Sequence, residues 1–446
     1  MDMILLALVA GFVFIYRLWS GSLSSWDEAF YAHISRTLAE AGSPAGFIWG
    51  EATWMDKPLL YMWATALLYK AFGINEFTTR LFSALCGTGV VITAYVFCLR
   101  AYSRTTGVIA ALMLVGTYHF AWFSRMGTLD VAFTLFVFLS VYSFLKAEDE
   151  HRNMVWCWLW FALAFLTKGV GAFLIPVILG LYVLALGRWG QVLNRQSALG
   201  AALFLALAGG WYYQRYLLHG SEVIRDGFFQ HLVRRTTQSL DGHTGGPLTY
   251  VNAILYKGKP WGAVALAVMP FFIYRSFKGR NAAGCLLVSW VVVTVALFTA
   301  FKTKLHWYIM PVYPALAIMG AWGMEKVLRR YAVVVTAVVS LASVLYFGAN
   351  KGLFTLDYNP EVKEFSRDVR RLSGDGEVYV YGLGDPGARF YFGSFSRNAH
   401  GEKELRGLLS RSGIMVVGQS ADIKELDGEG ELITSRDTNY AALKVR

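Results

Sequence analysis

An α-helical polytopic membrane protein is the fold class this sequence predicts, on three observations. Hydrophobic residues make up 56% of the chain and charged residues only 16%, a balance more apolar than one soluble core uses. Mean hydropathy is +0.43. Apolar runs recur as far as position 349, each close to the ~20 residues a bilayer-crossing helix needs.

These runs predict about eleven or more transmembrane helices. They lie near 3–19, 79–100, 105–123, 128–146, 153–167, 170–187, 198–218, 260–276, 282–301, 308–324 and 331–349. Orientation follows from the short connections. Arg100 and Arg104, Lys146 and Arg152, Arg188 and Arg195, Arg275, Lys278 and Arg280, and Lys326, Arg329 and Arg330 mark every second turn. The positive-inside rule makes those turns cytoplasmic. The loops 20–78 and 219–259 and the carboxyl terminus then face outward, the periplasmic side of a bacterial cytoplasmic (inner) membrane. The first run lacks a small-residue cleavage region and leads straight into Trp26 and Asp27, so it is expected to stay as a span.

Beyond position 350 the pattern changes. Helical "NPEVKEFSRDVRRLS" and "EKELRGLLS" alternate with strand-like "EVYVYGLG", "GIMVVGQS" and "YAALKVR". This predicts a small soluble periplasmic α/β domain over 351–446 after a transmembrane catalytic domain over 1–350. The four cysteines, Cys86, Cys98, Cys157 and Cys285, all fall inside apolar runs, so they are read as packing residues. The net charge of +11 is partly cytoplasmic anchoring, and no basic-aromatic module accompanies it; nucleic acid is not an expected partner.

Outward turns need no positive charge for insertion, yet Lys57, Arg125, Lys168, Arg234, Arg235, Lys257, Lys259, Lys302 and Lys304 occur there. Lys168 lies in the short turn "FLTKGVG", at the depth of a lipid phosphate. Carboxylates gather on the same side: Asp27 and Glu28 after the first run, Asp56 beside Lys57, and Asp130 at the start of another. Clustered acids, several cations and a membrane-surface location suit glycosyl transfer from a lipid-phosphate sugar. The anomeric carbon becomes cation-like while a phosphate leaves with growing negative charge. A carboxylate can take the acceptor's proton, and cations can hold the phosphate. No P-loop, dinucleotide fingerprint or HExxH occurs. A transporter or flippase of lipid-linked sugars is the alternative, although its charges belong near the bilayer midplane.

The motifs resemble a known family, the GT-C integral-membrane glycosyltransferases of the aminoarabinose (lipid A) transferase and protein mannosyltransferase group. "DEAFYAHISR" is similar to the family's first-loop segment, "DKPLLYMW" to its Glu-Lys-Pro-Pro-Leu segment, and "SRMGTLDVAF" to the place where a second Asp opens a span. "LTKG", "HLVRRT", "DGHTGGPLTY" and "KTKLHWYIMPVYPALAIM" resemble further family segments. The resemblance implies a GT-C fold and an inverting transferase moving a sugar from a polyprenyl (undecaprenyl) phosphate donor. It implies an envelope acceptor, whether a lipid A-like glycolipid, a glycan or a protein, with membrane lipids around the site. Asp27 and Asp130 become the candidate catalytic residues. Glu28, Tyr31, Lys57, Lys168, Arg234, Arg235, Lys304 and Tyr308 become candidate substrate-binding residues. Within "DEAFYA", read as a short interfacial helix, Asp27 and Tyr31 stand one turn apart.

The sequence also departs from the family pattern. Phe30 stands where the aminoarabinose branch has Arg, and His306 and Trp307 replace smaller residues. Asp56 stands in place of Glu; with the loop residue His243 it forms the candidate ligand pair for a divalent metal, the one cofactor considered.

Overall fold

The computed structural model describes residues 1–41, 48–49, 52–53, 57–221, 244–393, 396–399, 401–426, 429–434 and 438–445. It is mostly helical up to Asn350 and ends in a small sheet. The helices are α1 (Asp2–Ile15), α2 (Asp27–Ala41), α3 (Leu60–Phe72), α4 (Glu76–Ala101), α5 (Arg104–Gly116), α6 (Tyr118–Ser124), α7 (Asp130–Lys146), α8 (Asn153–Lys168) and α9 (Leu174–Leu186). There follow α10 (Arg195–Phe204), α11 (Gly210–His219), α12 (Thr249–Tyr256), α13 (Trp261–Lys278), α14 (Ala282–Ala300), α15 (Tyr313–Leu328) and α16 (Ala332–Asn350). A two-stranded ribbon, β1 (Ile48–Trp49) and β2 (Ala52–Thr53), lies between α2 and α3.

Every apolar run read as a span contains helix, and several of the helices, α1, α5, α9 and α10 among them, are shorter than their runs. By length and composition, four described helical stretches could cross a membrane: Glu76–Ala101, Asn153–Leu186, Ala282–Ala300 and His306–Asn350. The pair α5 and α6, bent by 71°, makes a fifth if it counts as one span. The breaks have local causes. Gly169 ends α8 at φ 59°, a conformation that costs glycine little. Pro311 lies in the tight turn His306–Val312 that precedes α15. Within the region predicted as an outer loop, α2 continues to Ala41 and α3 is an apolar helix with Tyr61 and Met62 buried.

Side-chain caps start the long helices. The amide of Thr78 donates to Asn75 Oδ1 at 3.0 Å, while Thr78 Oγ1 accepts from Asn75 N at 3.2 Å, a reciprocal box that satisfies amides left over at an N-terminus. Ser103 and Asn281 cap α5 and α14 in the same way. The cysteines are free thiols and all buried.

The carboxyl-terminal unit comprises α17 (Pro360–Ser373), β3 (Val378–Tyr381), α18 (Pro386–Phe392), β4 (Ser396–Ala399), α19 (Gly401–Leu409), β5 (Met415–Gln419), α20 (Ser420–Lys424), β6 (Gly430–Thr434) and β7 (Tyr440–Val445). Its sheet runs β4-β3-β5-β7-β6, with β3 parallel to β4 and β5, and β7 antiparallel to β5 and β6. Alternate side chains point to opposite faces of a strand. Val378, Val380, Met415 and Val417 therefore pack with Phe365 and Val369 on one face. Tyr379 and Val416 pack with Leu405, Leu408 and Ile423 on the other.

This unit meets α2 along one seam. Leu23, Ala29, Ala32 and Tyr69 form an apolar cluster with Phe390 and Tyr391 of α18. His33 is on the same side of α2. Burial, then the positive charges of Arg389 and Arg36, pull its imidazole down from 6.5 to about 4. The folded state holds this histidine neutral, whereas the unfolded chain protonates it near 6.5. Its contribution is thus complete above 6.5 and is lost as pH falls from 6.5 towards 4, a change on the order of 3 kcal/mol. Thermal unfolding in detergent is expected to show a lower Tm at about pH 5 than at about pH 7.5, with a smaller difference in His33→Gln. An equal pH response in both proteins would remove His33 from the account.

Candidate functional site

The adjacent acids Asp27 and Glu28 point in different directions, because successive helical residues are rotated by roughly 100°. Glu28 is fully buried. Its Oε1 accepts from Arg80 Nε at 2.8 Å and from Gly127 N at 2.8 Å. Its Oε2 accepts from Ser24 N at 2.9 Å and Arg80 Nη2 at 3.3 Å. Four protein donors saturate this carboxylate, which corrects the expectation that Glu28 faces substrate. It anchors the start of α2 to α4 and to the turn before α7.

Asp27 is half-buried and accepts from Tyr31 Oη at 3.3 Å, across the single helical turn expected of i and i+4 residues. Lys57 donates to the Tyr31 hydroxyl, and its ammonium lies 4.9 Å from the centre of that ring. Three sequence-predicted residues, from two elements, thus meet.

A second group forms where α7 begins and α8 ends. Asp130 is buried, and Lys168 Nζ donates to its Oδ1 at 2.5 Å. The same ammonium stands 5.3 Å from the ring centres of both Phe133 and Tyr308. The turn after α14 therefore brings Tyr308 to Lys168, far apart as the two are in sequence.

The turns beside the two groups are neighbours. A Cβ placed on Gly169 would lie 3.5 Å from Pro58 Cδ, so the residues next to Lys168 and Lys57 face each other. Behind them, Tyr61 Oη bonds Ser83 Oγ at 2.8 Å, and Ser83 Oγ donates to Thr128 O at 2.9 Å. This ties α3 through α4 to the residues just before Asp130.

Two other predicted cations serve the fold. Lys304 Nζ donates to Thr299 O at 2.8 Å and Phe301 O at 2.5 Å. It caps the carbonyl end of α14, where a cation is favoured. Arg125 is buried and donates to Leu353 O at 2.7 Å, Val13 O at 2.7 Å and Tyr16 O at 2.8 Å. It clasps α1 to the segment just after α16. Arg234, Arg235, Asp56 and His243 lie outside the described residues. Among the described residues no group of three or more His, Cys, Asp or Glu could hold a metal ion.

Comparison with known proteins finds similar sequences and a similar fold. Residues 56–213 match the family model of dolichyl-phosphate-mannose-protein mannosyltransferases. An undecaprenyl phosphate-alpha-4-amino-4-deoxy-L-arabinose arabinosyl transferase of Pseudomonas fluorescens is 27% identical over 333 residues, 72% of this chain and 56% of that protein. An uncharacterised protein of Aquifex aeolicus is 28% identical over 389 residues, 85% of each chain. The crystal structure of ArnT from Cupriavidus metallidurans bound to undecaprenyl phosphate has the same fold, with a TM-score of 0.82 at 19% identity, over 99% of this chain and 97% of that one. These likenesses support a GT-C membrane glycosyltransferase of the aminoarabinose transferase and protein mannosyltransferase group.

The chain spans little more than half the length of that Pseudomonas relative. Its structure also brings together residues that sequence reasoning left unassigned. Arg80, in the stretch "NEFTTRLFSAL", is the partner of Glu28. His119 Nδ1 bonds Tyr313 Oη at 2.7 Å, and its Nε2 bonds His306 Nδ1 at 2.9 Å. This pairing explains the histidine at 306, where the family has a smaller residue: it ties the turn that carries Tyr308 to α6. No local signal could reveal it, because residues 119 and 306 are nearly two hundred positions apart.

Proposed function

We propose that this protein is a GT-C membrane glycosyltransferase that moves one sugar, with inversion, from a polyprenyl-phosphate donor to an acceptor of the bacterial envelope. The Pseudomonas relatives are named for an undecaprenyl-phosphate aminosugar, which supports undecaprenyl phosphate as the carrier. The site is taken to open on the periplasmic side of the inner membrane, with about eleven spans below it and the carboxyl-terminal unit on the same side. A lipid A-like glycolipid, a glycan or a protein would each present a hydroxyl to it.

The observation that carries this reading is the pairing of Asp27, Tyr31 and Lys57 in one group and of Asp130, Lys168 and Tyr308 in another, on turns brought close to each other at Pro58 and Gly169. In the proposed step the acceptor oxygen bonds to the anomeric carbon as the bond from that carbon to the phosphate oxygen breaks. The acceptor's proton passes to an Asp27 oxygen. The released lipid phosphate keeps the electron pair of the broken bond, and its added charge is balanced by Lys57 and Lys168, with the Tyr308 hydroxyl as a further donor. Asp130 holds the Lys168 ammonium in place. Asp56 and His243 remain the candidate ligands of a divalent metal, and no step above requires one.

Mass spectrometry of envelope lipids, glycans and proteins from cells with and without the protein tests the reading. A new unit of sugar mass on an acceptor is expected, and sugar movement without a new glycosidic bond would instead make the protein a flippase. With the acceptor known, Lys57→Ala is expected to raise the donor KM by about tenfold, the loss of one charge-assisted hydrogen bond to phosphate. An unchanged donor KM would take Lys57 out of the phosphate site.

A further inference from the structure

We infer that the carboxyl-terminal α/β unit is a positioning part of the transfer site, acting on Asp27 through the far side of α2. The inference rests on Asp27 being the general base. At roughly 100° per residue, Ala29, Ala32 and Arg36 fall on the side of α2 opposite Asp27 and Tyr31. That opposite side is the one the unit covers. Ala29 and Ala32 pack with Phe390 and Tyr391 of α18, and Arg36 Nη1 donates to Phe390 O at 3.4 Å. The two alanines leave room for aromatic rings close to the helix backbone. The helix that carries Asp27 is thus held between Lys57 on one side and the carboxyl-terminal unit on the other.

Four residues leading into α2, Gly21, Ser22, Leu23 and Ser25, are stitched to the same unit and its linker. Leu23 N donates to Tyr391 Oη at 2.8 Å, and that hydroxyl donates to Glu76 Oε1 at 3.3 Å. Lys363 bridges Glu76 Oε1 at 2.5 Å and Gly21 O at 2.9 Å. Ser22 donates through N and Oγ to Asp357 Oδ1 at 2.8 and 2.6 Å. Ser25 Oγ donates to Asn359 Oδ1 at 2.9 Å, and Asn359 Nδ2 donates to Leu23 O at 2.6 Å. Gly21 makes the closest approach: at φ 83°, a Cβ there would stand 2.2 Å from Leu356 O.

These contacts do not touch the candidate reacting groups, so their role is geometric. A shift of α2 by a fraction of an ångström moves the Asp27 carboxylate relative to the acceptor oxygen, and reactions that depend on orientation are sensitive to such shifts. The backbones that carry Lys57 and Lys168 belong to other elements, and of the two side chains Lys57 alone is seen to contact α2, at Tyr31. Loosening the seam should therefore lower kcat and leave the donor KM alone.

The test uses the full chain in detergent or vesicles, with steady-state transfer measured against donor concentration. Tyr391→Phe deletes the hydroxyl between Leu23 and Glu76 while keeping the ring, and Lys363→Met deletes the bridge to Gly21 and Glu76 while keeping the stem. Each is expected to lower kcat by about tenfold with donor KM within about twofold. Arg406→Gln, on the exposed face of α19, serves as a control in the same unit and should transfer normally. If Tyr391→Phe and Lys363→Met both retain wild-type kcat, or if donor KM rises in step with the loss, the inference is overturned. Should one of the two fail to fold, the other decides alone. Asp27→Asn separates this inference from the reading beneath it. Full transfer by that variant removes Asp27 as base, whereas its inactivity beside a normal Tyr391→Phe removes only the positioning role.

Discussion

Replacing Asp27 by Asn is expected to reduce kcat by about 10³-fold, within the range that a positioned general base contributes, and to leave the melting temperature unchanged. The amide nearly matches the carboxylate in shape, and its oxygen can still accept from Tyr31 Oη, the hydrogen bond now formed at 3.3 Å. It cannot take a proton from the acceptor hydroxyl. The side chain is half-buried on the open side of α2, clear of the Glu28 anchor, so no packing or buried charge is lost. Activity and stability should separate cleanly. Single-turnover transfer and thermal unfolding of the purified variant provide both readings. Transfer at the normal rate would end the assignment of Asp27, and a large drop in melting temperature would show that this acid belongs to the fold.

Much of the helical body was legible in the sequence because apolar runs near span length permit few structures in a membrane. Their ends were less legible. The bend of 71° between α5 and α6 lies inside one continuous apolar run, and composition does not mark it. Helix α3 was missed because its 13 residues fall short of a span and follow the loop signal of Pro58. In the carboxyl-terminal unit, strands β3, β5 and β7 are rich in apolar residues and could be read directly. The edge strands could not: β4 is the polar "SRNA" and β6 is only half-buried, as befits sheet edges.

The candidate site shows the same division. Asp27 with Tyr31 follows from helical spacing, and Lys168 stood out as a cation in a short outer turn. The roles of Glu28 and Lys304 did not follow, since charge type and apparent sidedness do not reveal the partner. Glu28 meets an arginine 52 residues away, and Lys304 turns back onto carbonyls of its own neighbourhood. A polar residue at a membrane edge can serve chemistry or satisfy backbone, and only tertiary contacts distinguish the two.

The opposite outcome to Asp27→Asn is expected at the neighbouring position. Arg80→Met should cost about 3–5 kcal/mol, the usual penalty for removing one partner of a buried ion pair. Both side chains are almost wholly excluded from solvent, so Glu28 would be left as an uncompensated buried charge. The loss extends further, because the guanidinium also donates to Ser20 O at 2.9 Å, Ser22 O at 2.8 Å and Leu356 O at 3.1 Å. Those carbonyls join the end of α1, the approach to α2 and the linker to the carboxyl-terminal unit, and each would need a new donor. Adding Glu28→Gln to Arg80→Met removes the stranded charge, so the double variant should be more stable than Arg80→Met alone. Thermal melts of both single variants and the double variant make this a double-mutant cycle. A wild-type melting temperature for Arg80→Met, or strictly additive losses, would show that the pair contributes nothing specific. The expected pattern would explain why two acids stand side by side at the start of α2: Glu28 fixes the helix, and Asp27, held by it, is left to face the substrate.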